Sequence, residues 1–130
     1  MKKRVTGLGG VFFKARDPEM LKNWYHEHLH ILNGEYGALF KWRHQDQPEL
    51  EGYTAWSPFP EDTSYYEPST KDFMFNYRVE NLEELLQILR KEGVKVVGEI
   101  EEYSYGKFGW IMDPEGNKIE LWEPLDENAL

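Results

Sequence analysis

The feature that most constrains this 130-residue chain is an internal repeat at a fixed offset. The first copy begins Gly10-Val-Phe-Phe-Lys-Ala-Arg-Asp-Pro, runs to Trp24-Tyr25, and later reaches Glu51-Gly52-Tyr-Thr-Ala-Trp56. The second begins Met74-Phe-Asn-Tyr-Arg-Val, runs to Ile88-Leu89, and later reaches Glu115-Gly116-Asn-Lys-Ile-Glu120. Met74 stands 64 residues after Gly10, and Glu120 stands 64 after Trp56. Leu21 then falls on Leu85, Trp24 on Ile88, Tyr25 on Leu89 and Gly52 on Gly116. A chain of this length has room for one core, so the copies read as paired half-domains that share it. Chemistry should lie at their equivalent positions.

Each copy has the same order of elements. In the first, residues 5–14 are β-rich, and Asp17-Pro18 supplies a helix N-cap and a proline at the first helical position. Leu21, Trp24, Tyr25, His28 and Leu29 then share one helical face, and Asn33-Gly34 closes the helix. Residues 38–43 and 52–57 are strand-like. In the second copy, residues 73–79 form a strand and Asn81 caps a helix carrying Leu82, Leu85, Leu86 and Leu89 as far as Gly93. Residues 94–97, 107–112 and 118–122 follow as strands, with a turn at Asp113-Pro-Glu-Gly116. The expected class is α+β, two βαβββ modules in a single domain spanning 1–124. Module 1 covers about 5–57 and module 2 about 72–124, and residues 125–130 form an acidic tail. Between the modules, residues 58–71 carry Pro58, Pro60, Pro68, Phe59, Tyr65 and Tyr66. That is longer than an ordinary connection; it reads as an inter-module linker, and a lid is compatible with the same segment.

A net charge of −9 disfavours nucleic acid as a partner and mildly favours cationic ligands, although solubility alone accounts for it. No cysteine is present, which removes disulfides and thiolate chemistry. The apolar run after Met1-Lys-Lys-Arg is broken by glycines and meets Lys14, Arg16 and Asp17 without a small-residue cleavage site, so it reads as a first strand. No stretch is long enough to span a membrane, and the cytoplasm is the expected compartment.

The strand–Arg-Asp-Pro–helix–Trp-Tyr pattern at the front resembles the vicinal oxygen chelate superfamily, and so does Tyr105-Gly-Lys-Phe-Gly-Trp-Ile-Met-Asp-Pro-Glu-Gly-Asn-Lys-Ile-Glu-Leu-Trp-Glu-Pro124 at the back. That superfamily includes glyoxalase I, bleomycin-resistance proteins, fosfomycin-resistance enzymes and extradiol dioxygenases. The resemblance covers about residues 7–124. It implies a half-open barrel with helices outside, a ligand on the concave side, and a homodimer. It also implies four inward metal ligands on the first and last strand of each module, which fall here on Gly10, Trp56, Met74 and Glu120. Only Glu120 is a ligand for a divalent metal in an oxygen/nitrogen site, so neither a family-type metal centre nor another cofactor is expected. His26-Glu27-His28-Leu29-His30 matches the zinc-protease pattern H-E-x-x-H. The apolar helix face leaves His26 and His30 on the solvent side without a third ligand, and packs His28.

Strand alternation gives the inward set. Phe12 and Lys14 accompany Gly10; Asn76 and Arg78 accompany Met74; Lys118 and Trp122 accompany Glu120; Thr54 accompanies Trp56. Trp42, Phe108 and Trp110 join them. The result is an aromatic trough with a few polar groups, the usual character of a small-molecule pocket. Glu120 is the candidate catalytic residue, since aromatic walls desolvate its carboxylate and suit it to general acid or base work. Arg78 either binds a substrate anion bidentately or pairs with Glu120 or Lys14. The favoured reading is a metal-free pocket in which Trp56, Trp110 and Trp122 stack on a flat or cationic small molecule. An isomerase, lyase or transferase using Glu120 is the alternative, and a metal-dependent lyase or dioxygenase survives only if the landmarks are misaligned.

Overall fold

A computed structural model describes residues 3–34 and 37–125. The elements are β1 (Val5–Ala15), α1 (Pro18–Leu29), β2 (Ala38–Arg43), β3 (Glu51–Pro60), β4 (Phe73–Val79), α2 (Leu82–Lys91), β5 (Lys95–Tyr103), β6 (Gly106–Met112) and β7 (Lys118–Pro124). The strands form one mixed sheet in the order β2-β3-β1-β4-β7-β6-β5, curled and open, with β2 and β5 as its two ends. The expected α+β class is what is found.

The two halves meet along β1 and β4, which run antiparallel. Gly10 pairs with Asn76 and Phe12 with Met74. These two pairs exchange places under the 64-residue offset, so the repeat is a local two-fold at the centre of the sheet. Further out the symmetry breaks. Asn76 pairs with Glu120 between β4 and β7, whereas its counterpart Phe12 pairs with Ser57 between β1 and β3. The spatial counterpart of Glu120 is therefore Ser57, one residue later than the offset predicts. Module 1 is also shorter than expected. The offset sets β5 against residues 31–39, where the described residues hold only an isolated Gly34–Gly37 bridge and the start of β2. It is βαββ.

Local chemistry explains the helix ends. Asp17 Oδ1 accepts from the Met20 amide at 3.0 Å, and Pro18 follows it. The helix stops at Leu29, before Asn33-Gly34, because His30 takes a left-handed conformation (φ 58°) and its amide and that of Ile31 close the last carbonyls. Asn81 precedes α2 but makes no side-chain cap; Glu123 on β7 supplies one instead, its Oε1 accepting from the Leu82 amide at 2.7 Å. The first turn of α2 is thus tied to the last strand.

The main core lies beneath α2, where Leu82, Leu85 and Leu86 bury against Val79 and Leu121. Each of these leucines contributes about 1.5–3 kcal/mol through removal from water. Helix α1 sits less deeply. None of its residues is buried, and Trp24 is 51 % exposed. His28, expected in the packed face, is exposed and leans on the Trp24 ring at 4.9 Å, because α1 lies shallow on the sheet and Trp24 is itself half exposed. Tyr25 holds α1 down, edge-on to Trp56 at 4.9 Å.

Strand β3 runs through Pro58 and Pro60, past the expected start of the linker. Its pairing with β2 ends at Trp56, so beyond that point it has β1 as its partner, and prolines are tolerated on such a flank. Residues 61–72 form a strap that returns to the sheet on the face opposite the helices. No helix among the described residues is long and apolar enough to cross a membrane. Residues 126–130 of the expected tail lie outside the described residues.

Candidate functional site

Alternation along β7 sends Ile119 and Leu121 beneath α2 and turns Lys118, Glu120 and Trp122 to the other face. On β4 it sends Tyr77 and Val79 to the core and turns Met74, Asn76 and Arg78 the same way as Glu120. Asn76 and Trp110 sit directly across from Glu120 on the neighbouring strands. Asn76 Nδ2 donates to Glu120 Oε1 at 2.7 Å and Trp110 Nε1 donates to Oε2 at 2.9 Å. The third donor comes from the strap: the Tyr65 hydroxyl donates to Oε2.

Glu120 is 3 % exposed. Burial raises its pKa above the ordinary carboxyl value; the hydrogen bonds from Tyr65, Asn76 and Trp110, and the Lys118 charge, oppose that rise without cancelling it. Lys118 lies beside it, its Nζ donating to the Tyr65 carbonyl at 2.7 Å and standing over the Tyr65 and Trp110 rings at 5.4 and 5.5 Å. Burial lowers the lysine pKa, and Glu120 pulls against that. The Tyr65 hydroxyl is pushed well up, by burial first and by the Glu120 charge second. Around this network Tyr66, Met74 and Trp110 pack with Phe12, Phe59 and Phe108. Lys14 Nζ stands over the Tyr66 ring at 5.7 Å. Gly9 makes the arrangement possible, since a Cβ there would lie 2.1 Å from Asn76 Oδ1.

A second cluster surrounds Arg78, which is fully buried. Its guanidinium lies 5.4 Å from the Trp42 ring, 5.3 Å from Tyr53 and 4.8 Å from Trp122, and Nη1 donates to the Tyr53 carbonyl at 3.4 Å. Stacked cations of this kind are stabilised by the ring quadrupoles. Trp42 is fixed by donating Nε1 to Thr54 Oγ1 at 2.8 Å, and it lies close over Gly7 and Gly52, where a Cβ would come within 2.5 Å of its ring. Phe108 stacks on Trp122 at 5.8 Å.

The expected residues therefore divide. Phe12, Met74, Asn76, Trp110 and Glu120 converge, with Lys14 at their edge. Trp42, Arg78 and Trp122 form the Arg78 cluster, and Phe108 touches both groups. Trp56 belongs to neither. It faces the helices, packed against Phe13 at 5.3 Å and Tyr25 at 4.9 Å, and the one-residue slip of β3 is the reason, since such a slip reverses every side chain. Sequence reasoning missed Tyr53, Phe59, Tyr65 and Tyr66 as members of this face. The usable signal was a pair of adjacent tyrosines in an otherwise polar, overlong connection. The trough is filled around Glu120 by these rings. A cavity of about 700 Å³ lies at one end of the sheet, between Lys3, Trp42, His44, Glu80 and Glu123, and Glu120 is not in its lining.

The four metal positions, taken in the observed register, are Gly10, Ser57, Met74 and Glu120. They offer one carboxylate, one hydroxyl and one thioether, and both Glu120 oxygens already accept hydrogen bonds. This donor set does not fit a divalent metal. Among the described residues no three His, Cys, Asp or Glu side chains form a metal-binding group, and His26 and His30 are exposed on α1.

Residues 7–121 match the family model of the Glyoxalase/Bleomycin resistance protein/Dioxygenase superfamily. No curated protein sequence matches the chain. Among solved structures, methylmalonyl-CoA epimerase from Mycobacterium tuberculosis is 22 % identical with a TM-score of 0.64, over 99 % of this chain and 95 % of that one. A methylmalonyl-CoA epimerase in complex with methylmalonyl-CoA and NH4+ is 13 % identical with a TM-score of 0.70, over 94 % and 96 %. A glyoxalase/bleomycin resistance protein/dioxygenase superfamily member from Vibrio splendidus 12B01 is 13 % identical with a TM-score of 0.57, over 89 % and 98 %. At these identities the likeness is one of fold.

Proposed function

Starting from the fact that the chain belongs to the glyoxalase/bleomycin resistance/dioxygenase superfamily, we propose that it binds a small aromatic or cationic molecule on the concave face, without a metal, at the Glu120 network. One observation carries this reading. Two of the three donors to the buried carboxylate, Asn76 and Trp110, belong to the sheet, and the third, Tyr65, belongs to a strap outside it. A carboxylate held by donors of the sheet, with one further donor from outside it, suits the orienting polar group of an aromatic pocket. Fold alone would not license this step. The test is tryptophan fluorescence, since Trp110 bonds directly to Glu120. Titration with a panel of small phenols, aromatic amines and quaternary ammonium compounds should give a saturable change with at least one of them, weakened about tenfold in Glu120→Gln through loss of a charge-assisted bond. A flat response across the panel sinks the reading. The same proposal has the protein acting as a homodimer in the cytoplasm, to be checked by sedimentation equilibrium and cell fractionation.

A second reading is supported by the opposed shifts of Glu120 and Lys118, which suit proton transfer at a carbon acid. Under it, methylmalonyl-CoA or another carbon acid incubated in D₂O should exchange its α-hydrogen. Glu120→Gln should abolish the exchange while binding persists.

A further inference from the structure

We propose that the slot holding the Tyr65 ring is a site for neutral phenols, occupied in this structure by Tyr65 as an internal stand-in. The inference rests on the binding reading above and names its ligand class. Phe59 is stacked on the Tyr65 ring at 5.8 Å with an interplanar angle of 18°. Trp110 meets it edge-on at 6.2 Å and 90°, and Tyr66 at 6.5 Å and 65°. The Lys118 ammonium stands over its face at 5.4 Å, and the Glu120 carboxylate closes the far end by accepting from the hydroxyl. A planar slot, a cation over the ring and an acceptor at its depth together select an aromatic ring carrying a hydroxyl donor. Glu120 repels the ionised form of such a molecule, so the neutral phenol is the species that fits.

The stand-in is placed to leave. Tyr65 is 38 % exposed while its neighbour Tyr66 is 1 % exposed, so the slot has an edge open to solvent. The backbone hydrogen bonds of the strap at Thr63, Glu67 and Ser69 stay local, to Pro60, Ser64 and Tyr66, and its backbone bond to the sheet lies at its far end, where the Asp72 carbonyl accepts from the Lys14 amide at 2.7 Å. Its ties to the sheet at Tyr65 are the hydroxyl bond to Glu120 and the Lys118 bond to the Tyr65 carbonyl. An entering phenol reproduces the first of these, and Lys118 is released to solvent or to the ligand. The observed affinity is then the intrinsic one multiplied by the fraction of molecules with the strap open.

The probe is p-cresol, which is the tyrosine side chain cut at Cβ, with toluene as the control lacking the hydroxyl. Calorimetry on the full chain should show p-cresol binding to the wild type, and hydrogen exchange across residues 61–72 should rise on saturation while β4 and β7 stay protected. Tyr65→Phe keeps the ring and the fold but loosens closure, so p-cresol should bind it about tenfold or more tightly than wild type. Tyr65→Ala should bind tighter still and prefer p-cresol to toluene by at least tenfold. If the wild type fails to bind p-cresol, or binds it with no change in the strap, Tyr65 is a permanent part of the core and the inference is wrong, even if Tyr65→Ala accepts the probe. Should another member of the fluorescence panel bind in a Glu120-dependent way while p-cresol does not, the binding reading stands and the phenol assignment falls. A flat response to every compound removes both.

Discussion

Replacing Glu120 by alanine and by glutamine separates what its hydrogen bonds contribute from what its charge costs. Both variants lose the charge, so the difference between them reports the bonds together with the buried volume that alanine removes. Alanine strands Asn76 Nδ2 and Trp110 Nε1, whose residues are 2 % and 6 % exposed, whereas the Tyr65 hydroxyl can turn to water. A stranded buried donor costs about 1–3 kcal/mol, and Trp110 Nε1 is the donor that alanine strands and glutamine does not, so the alanine protein should be less stable than the glutamine protein by at least about 1–3 kcal/mol. Glutamine keeps Trp110 Nε1 paired. Its carbonyl takes the place of Oε2, and its amide faces Asn76, which by turning over presents Oδ1 and leaves Nδ2 in the buried position where Oδ1 has no partner. Urea unfolding with unchanged m-values is the assay. A difference below about 1 kcal/mol would refute the idea that Trp110 Nε1 is committed to Glu120. The charge then shows in the pH dependence. Because burial holds the folded Glu120 pKa above the ordinary value of 4.5, its contribution to stability is greatest below pH 4.5 and declines as pH rises through the folded value. Glutamine has no such decline. Its stability relative to wild type should therefore improve as pH rises from 4.5 through the folded Glu120 value and level off above it, and curves parallel throughout would contradict the buried charge.

Gly9→Ala should cost about 1–3 kcal/mol by thermal unfolding, since its Cβ would sit 2.1 Å from Asn76 Oδ1 and 3.0 Å from Arg78 Cγ, both in a filled face; a loss under about 0.5 kcal/mol would mean that Asn76 is free to move. Trp56→Ala should destabilise the protein, toward the low end of the roughly 3–5 kcal/mol typical of buried tryptophan, while leaving the Trp110 fluorescence response to ligand intact. A variant that kept its stability but lost ligand response would return Trp56 to the concave face. Dialysis of untagged protein against a chelator should leave the unfolding temperature and any ligand response unchanged; stoichiometric Zn, Ni, Fe or Mn by elemental analysis, lost together with stability, would overturn the donor-set argument.

Much of this architecture was readable because duplication writes the fold twice. The Asp17-Pro18 start, the leucine face of α2 and the β7 alternation that turns Glu120 inward all follow from local periodicity and capping chemistry. Register between distant strands does not. An ungapped repeat anchored on Gly52 and Gly116 places Trp56 where Glu120 is, yet β3 pairs with β1 one residue away from that frame, and only the ladder decides it. The Asn81 cap failed for a similar reason: a carboxylate 41 residues away outcompeted the local side chain. The depth of the strap was also hidden, because nothing in a proline-bearing connection states that two of its tyrosines turn back onto the sheet. Arg78 was legible as inward but not as enclosed, since the rings that enclose it come from β2, β3 and β7.

The displaced register of β3 also sets terms for anyone wishing to alter this protein. A designer who restored histidine or glutamate by copying the repeat would substitute position 56, and would thereby drive a polar group under α1 while leaving the concave face as it was. Position 57 is the one that looks across toward Glu120. Installing a four-donor ring would take changes at Gly10, Ser57 and Met74 together, and Glu120 would have to surrender its present partners to join it. The two halves of the sheet have thus diverged in geometry as well as in residue type, and no single substitution carries the one back into the likeness of the other.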